Sequence, residues 1–240
     1  MKRTVFLTAF IVWAGILSAQ KTIINDPNAV IRSVKGFHAI AVSNAIDLYL
    51  SQSGTEAVAV SAQDTAYRDR IRTEVIDGVL RISFDNEGWK SWNSGNKKLR
   101  AYVSFTALDR LSASGASDVF VEGVLSGSKF DLNLSGASDF KGAVRLNDLQ
   151  ISQSGASDIV ITGSVANLTT IRASGASDVK GYDLATESCS VNVSGASDVR
   201  ITVNKELNAH ASGASSVSYK GDGVIRDSHI SGASSVSKKS

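Results

Sequence analysis

From residue 111 to the C-terminus, apolar residues fall at two fixed distances from a recurring polar cluster. The cluster is Ser114-Gly115-Ala116-Ser117-Asp118; it returns at 135–139, 154–158, 174–178 and 194–198, and with Ser in place of Asp at 212–216 and 231–235. Three residues before its first Ser stand Leu111, Leu132, Ile151, Ile171, Val191, Ala209 and Ser228. Directly after its last position stand Val119, Phe140, Ile159, Val179, Val199, Val217 and Val236. Each cluster is therefore a corner between two strands that face inward. Successive corners start 21, 19, 20, 20, 18 and 19 residues apart, the period of a solenoid. Coils of about 20 residues with two or three short strands each predict an all-β fold, a right-handed single-stranded parallel β-helix. Glycines at 123, 127, 142, 163, 181, 221 and 223 mark further bends.

Upstream the pattern is less regular. Residues 37–42 and 46–51 alternate as short strands, 56–62 and 99–105 read as two more, and Asp77-Gly78 between apolar runs predicts a tight hairpin over 75–82. The charged stretch 64–74 carries Tyr67 and Ile71 at i and i+4, the spacing of one or two helical turns. Residues 37–240 thus form a single domain, with irregular N-terminal coils over 37–110 and regular repeats over 111–240. Residues 20–36, holding the turn Asp26-Pro27-Asn28, are a lead-in. Strict alternation puts Gly115 and Ser117 on the side of Leu111 and Val119, but a corner bends the chain, so which hydroxyls point inward stays open.

Residues 1–19 read as a secretory signal: Lys2 and Arg3, an apolar run over 5–17, then Ser18-Ala19 before the expected cut. The run is shorter than the roughly 20 residues of a spanning helix, so no membrane span is expected in the mature chain. Export leaves the periplasm, the outer surface or the medium as destinations. Removing Lys2 and Arg3 takes 25 basic residues to 23, equal to the 23 acidic ones, so the electrostatic case for nucleic acid disappears. Cys189 is the one cysteine and lies in a strand-like context without a nearby His, as a buried thiol does.

The runs Phe37-His38-Ala39-Ile40, Ile46-Asp47-Leu48-Tyr49-Leu50-Ser51-Gln52-Ser53-Gly54, Asp77-Gly78-Val79-Leu80-Arg81-Ile82 and 108–117 with its Ser-Gly-Ala-Ser carry a resemblance. Over about residues 30–238 the chain resembles the bacterial domain of unknown function described as putative auto-transporter adhesin, head GIN domain. The resemblance implies a right-handed β-helix exported by Bacteroidetes-type bacteria. It implies no active site. The chain holds no Gly-Ile-Asn tripeptide; its nearest counterpart is Asn44-Ala45-Ile46-Asp47.

Asp118, Asp139, Asp158, Asp178 and Asp198 form a ladder at the corners. Carboxylates about 4.8 Å apart in neighbouring coils repel, and Lys141, Lys180 and Arg200, two residues on, stand on the same face to answer them. The ladder reads as a structural feature of the corner. Calcium is the alternative, yet one carboxylate per turn falls short of the six to eight oxygens it takes. Every turn repeats the same acid, so no turn is marked as catalytic, and no catalytic residue, cofactor or metal is assigned. His210 and His229 lie one coil apart but lack further ligands. Trp89, Lys90 and Trp92 break the repetition and form the candidate ligand-binding loop, because indole faces stack on sugars. The alternative is that the tryptophans cover the end of the helix. The expected function is that of an exported, non-enzymatic β-helical protein of the cell envelope, structural or adhesin-like, with a cell-surface glycan or protein as partner. The second reading is a carbohydrate-active protein, either a glycan binder or a degenerate polysaccharide lyase-like enzyme.

Overall fold

The computed structural model describes residues 26–87 and 97–240. Its N-terminal part holds β1 (Val30–Arg32), β2 (Ala39–Val42), β3 (Asp47–Gln52), β4 (Ala57–Ser61), α1 (Thr65–Arg68), β5 (Ile71–Ile76), β6 (Val79–Phe84), β7 (Arg100–Phe105) and β8 (Arg110–Ala113). Longer, bent strands follow: β9 (Val119–Leu134), β10 (Phe140–Gln153), β11 (Asp158–Ala173), β12 (Asp178–Val193) and β13 (Asp198–Ala211). The end is made by β14 (Ser216–Lys220), β15 (Val224–Ile230) and β16 (Ser235–Lys238).

The long strands pair in parallel, corner over corner, and build the expected β-solenoid. Ile151 lies between Leu132 and Ile171, and Ile159 between Phe140 and Val179, so each apolar column of the sequence becomes a column in space. Leu111, Leu132, Ile151, Ile171, Val191 and Ala209 are buried, as are Val119, Phe140, Ile159, Val179, Val199 and Val217. Each large apolar side chain so buried contributes roughly 1.5–3 kcal/mol. The first column fails at the end, where Ser228 and all of β15 are exposed, while the second ends in Val236, partly buried against the core. Among the bend glycines, Gly123, Gly163 and Gly221 take positive φ, while Gly127, Gly142, Gly181 and Gly223 do not.

The N-terminal coils do not stack in chain order. On one side of the corners the strands lie in the order β5, β6, β2, β8, β9, and on the other β1, β4, β7, β3, β9. The β2–β3 coil is thus inserted between the later β6–β7 coil and β8–β9. The chain makes its first coil, runs back through β4, α1 and β5 antiparallel to the coil below, reverses at Asp77 (φ 51°) and Gly78 (φ 73°), and then passes over its first coil. The lead-in also contributes β1, antiparallel to β4. Of the helical expectation over 64–74 only α1 forms, capped by the Asp64 carboxylate accepting from Ala66 N–H, and Ile71 opens β5 instead. Pairing β5 with β6 satisfies a full row of backbone groups that one more helical turn would leave to solvent.

Candidate functional site

The corner is fixed by its glycine and its second serine. Gly155 has φ 88°, and a Cβ there would lie 2.4 Å from the Gly136 carbonyl oxygen. That close approach lets Ala156 N–H bond the Gly136 carbonyl at 2.8 Å, and the same bond recurs from Ala137 to Gly115 (2.7 Å) and from Ala176 to Gly155 (2.8 Å). The inward hydroxyls are those of Ser117, Ser138, Ser157, Ser177, Ser197 and Ser215, all at most 1% exposed. Ser177 and Ser215 donate to the carbonyls of Ser174 and Ser212 at 3.0 and 2.9 Å, closing the turn from inside.

Among the described residues the stack has one further corner that the motif does not announce. Ser43-Asn44-Ala45-Ile46-Asp47 joins β2 to β3 with Asn44 and Ala45 at φ 67° and 59°, and Ile46 N–H donates to the buried Ser117 hydroxyl at 3.2 Å. Three of its five residues match Ser-Gly-Ala-Ser-Asp in order, the signal by which the sequence could have disclosed it. Asp47 therefore extends the acid ladder beyond Asp118.

The ladder has two chemically different halves. Toward the C-terminus Lys180 bridges Asp158 (2.8 Å) and Asp178 (3.9 Å), Arg200 sits 3.6 Å from Asp198, and Ser216 donates to the Asp198 carboxylate. Lys141 makes no ion pair among the described residues, against the expectation that it would answer Asp139; Asp139 instead accepts from the Asp158 backbone N–H at 3.1 Å. Toward the N-terminus the flanking column is aromatic. Tyr102, Tyr49 and Phe120 stack in successive coils with centroids 5.2 Å apart, beside Arg100, Asp47 and Asp118. Burial first, and the Asp139 charge second, raise the Asp118 carboxyl above its ordinary value. Burial and then Asp118 raise that of Asp47, with Arg100 opposing. Next to Phe120 a recess of about 400 Å³ opens over Lys141, Gly142 and Val160. A side chain on Gly142 would fill it against Val121, 2.8 Å away.

Trp89, Lys90 and Trp92 lie outside the described residues, as does the segment read as a signal. The flanks of that loop are placed. Phe84 ends β6 opposite Ile71, and Arg100 begins β7 opposite Asp47. Arg70 donates to the Asp85 and Glu87 carbonyls at 3.1 and 3.0 Å, Gln63 N–H donates to the Lys97 carbonyl at 2.9 Å, and the Lys97 ammonium lies 5.0 Å from the Phe84 ring centroid. Of these flanks, Arg100 stands opposite Asp47 at the acidic end of the ladder, and Asp85 and Glu87 are held by Arg70 beside β5.

The sequence matches the family described as putative auto-transporter adhesin, head GIN domain, over residues 36–223. The chain belongs to this family. Solved structures agree on the fold. A putative adhesin from Bacteroides fragilis superposes with a TM-score of 0.81 at 20% identity, covering 89% of this chain and 98% of its own. A putative adhesin from Parabacteroides distasonis gives 0.69 at 21%, covering 88% and 96%. A putative lipid binding protein from the same species gives 0.67 at 20%, covering 90% and 98%. No curated protein matches the sequence.

In this head GIN domain chain the carboxylates of the ladder stand in register. Cys189 is fully buried in β12, and burial pushes its thiol up to about 12, as expected of an inert packing residue. No described helix is long and apolar enough to cross a membrane. His210 and His229 stand in register before the corner, on the other flank from the acids.

Proposed function

We propose that the chain is a non-enzymatic, adhesin-like binding module exported to the bacterial cell envelope, and that its ligand is a glycan. The observation that carries this reading is the side-by-side placement of the Tyr102–Tyr49–Phe120 stack and the Asp47, Asp118 and Asp139 carboxylates at the N-terminal end of the ladder. Half-buried aromatic faces pack against the apolar faces of sugar rings, and carboxylates accept from their hydroxyls. Trp89 and Trp92, outside the described residues, are the further aromatic side chains that the sequence offers to such a ligand. The rest of the ladder serves the stack: Lys180, Arg200, Ser216 and backbone amides answer its acids, so the reading needs no calcium. The test is a glycan array probed with the labelled, purified chain. Concentration-dependent binding to one class of glycan, with no new reducing ends or unsaturated sugars released, is expected. Release of either product would identify a polysaccharide-cleaving enzyme instead.

A further inference from the structure

The C-terminal coils bring together three ligand atoms that their sequence separates. His210 on β13 and His229 on β15 are register partners, with ring centroids 5.0 Å apart. Straight pairing would set Arg226 opposite Asn208. Instead β15 bulges: Leu207 faces Ile225 and Asn208 faces Asp227, which leaves Arg226 as the extra residue. Bulges re-aim side chains in this way. The bulge places a carboxylate in the outward column beside the two imidazoles, and Glu206 holds the displaced Arg226 guanidinium at 2.9 Å. The neighbour of His210 on the other side is neutral Asn192, so no cation adjoins it along the column.

The resulting geometry suits a metal better than a hydrogen-bonded cluster alone. Asp227 Oδ2 lies 2.9 Å from His210 Nε2 and its Oδ1 lies 3.4 Å from His229 Nδ1, and all three ligand groups present atoms within 4.8 Å of one another. A tetrahedral site with bonds of 2.0–2.1 Å has ligand atoms about 3.3 Å apart, between the two observed separations. All three residues are exposed, so small side-chain rotations bring the imidazoles to that spacing without moving the core. The two imidazoles are borderline nitrogen ligands, and with a single hard carboxylate beside them the set selects zinc-like ions over calcium or magnesium.

We propose that His210, Asp227 and His229 bind one divalent transition-metal ion of the zinc class, with a remaining coordination position open to water or to an external ligand. The trio lies on the opposite flank of the corner from the aromatic, acidic patch, so this site stands independently of the glycan reading. The probe is zinc chloride titrated calorimetrically into the chelator-stripped, purified chain at neutral pH. One equivalent is expected to bind. Asp227→Asn should weaken binding at least tenfold, and His210→Ala with His229→Ala should abolish it. His38→Ala, at the separate exposed His38–Asp109 pair, should leave the isotherm unchanged. Circular dichroism melts check that the variants keep their fold, and cobalt(II) substituted for zinc should give an absorption spectrum that the double variant lacks. No isotherm in the wild type, or one that the folded double variant retains, overturns the proposal.

Discussion

A side chain at Gly155 would meet backbone, the one neighbour that cannot turn aside. The position combines φ 88° with a would-be Cβ contact of 2.4 Å to a carbonyl oxygen. Gly155→Val should therefore cost on the order of 3 kcal/mol or more. Gly123→Ala provides the control, since Gly123 has φ 79° but no atom within 4 Å of an added Cβ; its cost should stay near 1–2 kcal/mol. Thermal melts of both variants separate close approach from dihedral strain, and equal losses would remove the role given to the glycine column. A second residue-scale prediction concerns charge. The folded-state value of Asp118 is raised, so its ionisation opposes folding at neutral pH, and that cost disappears as the pH falls below the reference value of 3.8. Asn keeps an oxygen to accept the Asp139 backbone N–H and removes the charge. Asp118→Asn should raise Tm slightly at pH 7, by an amount that solvent screening keeps small, and should leave it unchanged at pH 3. A gain that persists at pH 3 would show that charge is not its cause. These residues were legible in the sequence as corner positions. The inward serines were not, because the direction of a side chain at a corner depends on the bend and not on alternation.

At the scale of the element, the stack weakens toward its C-terminal end. In β15, Val224, Ile225 and Ile230 are 52%, 42% and 51% exposed, and the column that holds Leu132 and Ile151 ends there in Ser228. Deleting residues 222–240 should lower Tm by only a few degrees and keep a single transition, since the deleted coil has neighbours on one side only. Loss of cooperative unfolding would mean that this coil closes the core. The same deletion removes Asp227 and His229 and should abolish zinc binding. The repeating coils could be read from residue 111 onward because spacing alone specifies neighbours in a solenoid. The order β6–β7, β2–β3, β8–β9 could not, because it depends on which free edge the chain chooses, and the pairings are equally parallel either way. Asp227 stands two residues before His229 in the sequence, but its place beside His210 could not be read there, because the one bulge residue, Arg226, sets Asp227 opposite Asn208 and His229 opposite His210.

For the whole molecule, the fold divides labour between repetition and its interruption. The glycine, serine and acid columns hold one corner above another, while the aromatic column Tyr102–Tyr49–Phe120 stands at the N-terminal end of the acid ladder. The proposed binding surface lies at this interruption, together with the tryptophans that the sequence singles out. The direct measurement is the affinity of the purified chain for the glycan found on the array, compared between Trp89→Ala with Trp92→Ala and Asp158→Asn with Asp178→Asn. The account predicts at least a tenfold loss in the tryptophan pair and less than a threefold change in the ladder pair, both remaining folded. Full affinity in the tryptophan pair with its loss in the ladder pair would contradict it.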